Sequence, residues 1–181
     1  MRVKIITMLI FMLSLKCATP PIYYNKRAVK ENATIAVMPF SDYLEKNNSG
    51  QLFTNIFSIF FMRDNYKLAE REKISQIMRE KSIDISHITE SSTKEIGDFL
   101  NVDYLLIGSV TDYTSYSSEK KLFYIFEWLQ ITCSVGVTAR LIDVNTGEVI
   151  WVGSATDQSY SYQQAVEAAI GQLYLSIINK R

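Results

Sequence analysis

Three side chains in this 181-residue chain are of the kinds that most often do chemistry: the single imidazole of His87 and the thiols of Cys17 and Cys133. His87 stands three residues before Glu90, but no second His or Cys set lies nearby, so the ligand spacing of a metal site is missing. A Ser-His-Asp triad would have to use His87, and nothing around it resembles a nucleophile elbow. The lone histidine therefore reads as a loop residue. Cys133 alternates with apolar neighbours and reads as a small buried hydrophobe rather than a reactive thiol. No glycine loop for phosphate and no dinucleotide turn is present. The expectation is a non-enzyme with no cofactor and no metal. Nucleic acid is also excluded as a partner, because 19 basic residues balance 19 acidic ones without a basic stripe.

Cys17 is a different case. Arg2 and Lys4 precede an apolar run from Ile5 to Leu15, and Leu13-Ser14-Leu15-Lys16-Cys17 closes it. The run is the size of a signal core and too short to span a bilayer as a helix. An apolar run ending at a Cys resembles a lipoprotein signal, whose thiol receives a diacylglyceryl group and whose freed amine can take a palmitate-type chain. Several chains anchor stably, since each buried methylene adds roughly 0.8 kcal/mol. Lys16 departs from the small residue usual before the Cys. The other reading is an ordinary signal peptide with an incidental Cys, but no Ala-x-Ala-like site lies nearby. Residues 1–16 are read as the signal and 17–33, with Pro20, Pro21, Tyr23 and Tyr24, as a tether.

Residues 34–181 form one domain in this reading, with enough hydrophobic residues (48% of the chain) for a true core. Thr34 to Phe40 is a short apolar strand ended by Pro39. Leu52, Phe53, Ile56, Phe57, Phe60 and Phe61 recur at helical spacing behind Ser49, a candidate cap. A short strand at Tyr66 to Ala69, two more helices, and a nearly all-apolar strand at Val102 to Val110 follow. From Ile131 to Leu141 strict alternation predicts a half-buried strand. Asp143 to Glu148 is a hairpin turn, Val149 to Ala155 pairs back, and a last helix starts near Ser161. The order β-α-β-α-α-β-β-β-α implies an α/β (α+β) fold, a mixed sheet with helices packed on it.

Four phrases stand in a characteristic order: Ile35 to Phe40 (IAVMPF), Leu68 to Arg71 (LAER), Val102 to Val110 (VDYLLIGSV) and Ala139 to Ile150 (ARLIDVNTGEVI). Together they resemble the CsgG family of curli secretion lipoproteins and their relatives, over roughly residues 34–178. The resemblance implies an envelope lipoprotein, held on the periplasmic side of the outer membrane. One branch of such proteins forms a ring channel that inserts β-hairpins into the membrane. Another, similar to LpoB, touches a partner enzyme. The motif residues Pro39, Phe40, Glu70, Arg71, Gly108, Asp143, Thr146 and Gly147 have structural explanations first: a strand end, a surface ion pair between Glu70 and Arg71, close backbone packing and a turn.

Residues 113–130 bear on the choice between branches. Phe123, Tyr124, Phe126 and Trp128 crowd there and are the candidate partner or membrane contacts, together with the loop after Phe40. Read as one run, Leu122 to Ile131 has two apolar faces, broken only by Glu127, whereas a channel lumen should be polar; an amphipathic or partner-binding hairpin, or a buried sheet strand, fits better. Thr156 to Tyr162 is too short for a second membrane hairpin. The expected function is a non-catalytic interaction or assembly module, with other envelope proteins as partners and a homo-oligomer left open. The alternative is a subunit of an oligomeric secretion channel.

Overall fold

The computed structural model describes residues 21–27, 29–44, 48–82, 90–122 and 126–178; the side chains of 90–91, 120–122 and 126–128 lie outside the description. The elements in chain order are β1 (Ile22–Asn25), β2 (Thr34–Val37), α1 (Ser49–Arg63), β3 (Lys67–Leu68), α2 (Arg71–Glu80), α3 (Glu90–Leu100), β4 (Tyr104–Leu122), β5 (Phe126–Asp143), β6 (Val149–Ser159) and α4 (Tyr162–Ile178). The strands make one mixed sheet in the order β1-β6-β5-β4-β2-β3. β2 runs parallel to both β3 and β4, and the other neighbours are antiparallel. This is the α+β fold that the element order implies.

Each parallel connection carries a helix across a face of the sheet, so β2 is buried on both sides. Ile35 and Val37 look toward α1 and α4, whereas Ala36 and Met38 look toward α2 and α3. On the first face the α1 stripe Phe53, Ile56, Phe57 and Phe61 meets Val135, Val137, Ala139 and Leu141 of β5 and the α4 stripe Val166, Ala169, Ile170 and Leu173. Each such side chain, fully buried, stabilises the fold by roughly 1.5–3 kcal/mol relative to exposure. Trp151 is the largest side chain sealed there, and its Nε1–H donates to Ser176 Oγ at 3.0 Å. The second face is smaller: Ile74, Ile77, Ile96 and Leu100 cover Leu105, Ile107 and Ile142.

Several local expectations change. Residues 22–25 of the expected tether pair with β6 as β1, and Val29 and Ala33 beyond them are buried, so the folded body begins earlier than the sequence pattern suggests. Ser49 does not cap α1. Asn48 adopts a left-handed conformation (φ 51°), which swings the loop so that Asp42 Oδ1 accepts the Gly50 N–H at 2.6 Å instead. Ser161 does cap α4, accepting the Gln164 N–H at 3.3 Å. Pro39 interrupts the β2–β4 ladder without ending it: Met38 N donates to Leu106 O, and pairing resumes where Ser41 N donates to Gly108 O. The largest difference is the length of β4, which continues twelve residues past Val110 to Leu122 and pairs with β5 throughout, apart from a bulge at Val110/Asp112.

Candidate functional site

Several motif residues make packing or hydrogen-bond contacts within the fold. Phe40 stacks on Phe57 with ring centroids 5.3 Å apart. Gly108 leaves room for that ring, because a Cβ there would come 2.1 Å from Phe40 Cε1. Phe40 N donates to Thr54 Oγ1 at 3.0 Å. At the β5–β6 turn, Asp143 Oδ1 accepts the N–H groups of Asn145 and Thr146, and Gly147 takes φ 71°, which a residue with a Cβ adopts at a cost. Thr146 Oγ1 accepts from Glu148 N, and Arg27 forms an ion pair with the buried Asp143 carboxylate. Glu70 and Arg71 do not pair with each other. Glu70 sits before α2 and pairs with Lys73 at 3.5 Å, while Arg71 donates to Asn55 Oδ1 on α1; neighbours at a helix start point to different sides.

The arm of β4 and β5 is the feature the body does not require. β6 pairs with β5 only as far as Cys133↔Ser159. Beyond that, the seven register pairs from Tyr116↔Thr132 to Leu122↔Phe126 form a two-stranded ribbon. At about 3.4 Å per residue it extends roughly 20 Å past the three-stranded region. An isolated two-stranded ribbon is marginally stable in water. Leu129 and Ile131 continue the core face of β5 onto this ribbon, where no helix covers them, and they are 63% and 52% exposed. Ser115, Ser117 and Glu119 of β4 share that face with them, and Tyr116, Ser118, Gln130 and Thr132 share the other. Tyr116 is half exposed, and its hydroxyl donates to Gln158 Oε1 at 3.2 Å.

The base of the arm is fastened. Asp112 at the bulge accepts Ser134 Oγ–H at 2.6 Å and Thr114 Oγ1–H at 3.0 Å. The Tyr113 ring stacks on Tyr162 at the start of α4, with centroids 3.9 Å apart and planes within 9°. Burial, and then the neighbouring Tyr162, raise the Tyr113 hydroxyl above its ordinary pKa. Cys133 is buried beside this stack.

The run Leu122 to Ile131 is therefore not a single strand with two apolar faces. β4 ends at Leu122, β5 begins at Phe126, and the two residues are cross-strand partners. Phe126 and Trp128 lie on β5 by their backbone, with side chains outside the description; Phe123, Tyr124, Cys17 and His87 lie outside the described residues. After β6 the chain reaches α4 through Tyr160 and Ser161 alone, which leaves no second hairpin at that place. Among the described residues no group of His, Cys, Asp or Glu is gathered for a metal, and no helix is long and apolar enough to cross a membrane. Sequence reasoning missed the exposed strand-edge residues Ile22 and Tyr24 and the Arg71–Asn55 contact, because each depends on a partner distant in the chain.

The fold is shared with a PelC dodecamer from Paraburkholderia phytofirmans (TM-score 0.60, 19% identity, 91% of this chain and 99% of that one). Lipoprotein GNA1162 from Neisseria meningitidis is similar (TM-score 0.58, 17% identity, 82% and 99%). So is hypothetical protein CT253 from Chlamydia trachomatis (TM-score 0.51, 12% identity, 81% and 94%). No curated protein sequence matches the chain. Residues 24–173, nearly the whole described body, match the curli production assembly/transport component CsgG, and the chain belongs to the CsgG family.

Proposed function

We propose that this protein is a lipid-anchored envelope module, held at the periplasmic face of the outer membrane through Cys17, whose β4–β5 arm docks on other envelope proteins. Family membership supports an envelope protein of assembly or interaction. The observation that carries the docking role is the uncovered apolar edge of the arm at Leu129 and Ile131. A folded domain gains nothing from holding these side chains in water, whereas burying them against a partner releases roughly 1.5–3 kcal/mol each. A second copy of the chain is one partner that this edge suits, and a PelC relative is a dodecamer.

The alternative is a channel subunit that inserts the arm into the membrane. Seven free pairs fall short of the nine to eleven residues that a membrane strand needs, and polar residues stand on both faces of the ribbon. Photo-crosslinking in cells from position 131 separates the two. The docking reading expects adducts with an envelope protein or a second copy. Adducts with lipid alone would favour the channel, and no adduct would remove the docking role. Intact mass of wild type and Cys17→Ser, with membrane fractionation, tests the anchor: a lipid increment lost in the variant is expected. An unmodified, soluble wild type would overturn it.

A further inference from the structure

A second surface lies on other elements. Between α1 and α2, outside the carboxyl end of β2, is a cleft of about 320 Å³. Neighbouring strands β3 and β4 flank β2 on opposite sides, and clefts at such switch points are where α/β sheets hold ligands. Pro39, Phe40 and Ile74 give the cleft an apolar floor. The amides of Gln51 and Asn55 line the α1 wall, and Arg71 and Ser75 line the α2 wall.

The cleft runs into a depression along α2 that shares Arg71 and Ser75 and adds Arg79 and Glu72. The Arg71 guanidinium has five donors, and its bond to Asn55 Oδ1 uses one. Asp42 also lines the cleft, but its Oδ1 faces the start of α1, accepting Gly50 N–H at 2.6 Å and Ser49 Oγ–H at 3.4 Å, and it forms no ion pair with Arg71. Glu80 below Arg79 accepts Gln76 Nε2–H at 2.8 Å. Glu72 on the same wall keeps the groove from being a general anion trap.

Spacing narrows the ligand. Arg71 and Arg79 are eight residues apart on one helix, about 12 Å along its axis at 1.5 Å per residue. In an extended peptide, side chains four residues apart point the same way and lie about 13 Å apart. We propose that this groove binds an extended segment of a protein partner that carries two carboxylates four residues apart. One carboxylate sits on Arg71 and the other on Arg79, as forked guanidinium pairs. Gln51 and Asn55 meet the backbone between them.

The test is fluorescence anisotropy with the full-length protein in detergent micelles and a labelled seven-residue peptide with glutamates at its second and sixth positions. The control peptide has glutamines there. Tighter binding of the acidic peptide by about tenfold or more is expected, as is a loss of about tenfold in Arg71→Gln and in Arg79→Gln. Arg71→Lys should recover part of it, since the charge stays and the fork is lost. Thermal unfolding of each variant checks that the fold is intact. Leu129→Ser with Ile131→Ser should leave peptide affinity unchanged, so this groove and the arm fail or stand separately. Equal binding of both peptides, no binding, or affinity unmoved in the folded arginine variants would overturn the proposal.

Discussion

The same two strands, β4 and β5, do different work along their length. In the body, Leu106, Val137, Ala139 and Leu141 sit between helices and are sealed from water. Past Cys133 the alternation continues with Ile131 and Leu129, yet no helix reaches them and they stand exposed. The backbone pairing is the same in both regions; only the covering layer differs. Periodicity reports which face a residue takes, not whether anything lies on that face. Apolar side chains without a covering element then mark where a partner belongs.

That contrast can be strained from either end. Trp151→Ala should be the most damaging change, because it opens a cavity in the sealed region and removes the Nε1–H donor to Ser176 Oγ, which keeps only its bond to Leu173 O. A loss of about 3–5 kcal/mol is expected in urea denaturation. A loss below about 1 kcal/mol would mean that the body is loosely packed. Gly108→Ala drives a methyl into the Phe40 ring and should cost about 1–3 kcal/mol. Phe40→Leu in the same chain should return part of it if that contact is the cause.

Tyr174 gives a pH signature of the body. Burial, and then its 2.8 Å bond to Asp64 Oδ2, raise its hydroxyl pKa far above the ordinary value near 10. The folded state keeps this proton where the unfolded chain releases it. Stability from this group is therefore full below pH 10 and declines as pH rises beyond it. Tyr174→Phe should flatten that alkaline decline, and should cost about 1.5–3 kcal/mol at neutral pH through the lost bond to a carboxylate. An unchanged alkaline limb in the variant would assign the decline to other groups.

Tyr113→Leu at the base of the arm, which keeps apolar bulk and removes the ring pair, should cost only about 0.5–1.5 kcal/mol. It should speed proteolysis within residues 113–132 while the body stays protected. Uniform proteolysis would show that arm and body open together.

The sequence was most readable where one element decided the outcome. The α1 stripe from Leu52 to Phe61 and the alternation of β5 are local periodicities, and the turn at Asp143 to Gly147 is local chemistry. Reading failed where the deciding partner was remote. Ile22–Asn25 carries no pattern of its own and becomes a strand only by pairing with β6. Thr111 to Lys121 is polar on both faces, so its strand follows from the ladder with β5 rather than from burial. The fit between Phe40 and Gly108 spans the domain and could not be read from either phrase. At the candidate site, the aromatic residues of the sequence reading lie partly outside the described residues, and the exposed edge at Leu129 and Ile131 follows only from the pairing of β5 with β4.

The most direct measurement is the double change Leu129→Ser with Ile131→Ser, followed both by urea denaturation and by crosslinking in cells from position 117 on the same face. Stability within about 0.5 kcal/mol of wild type is predicted, as for surface positions, together with loss of the crosslinked partner. A fall of about 2 kcal/mol or more with partner capture intact would make the arm a structural element and contradict the account.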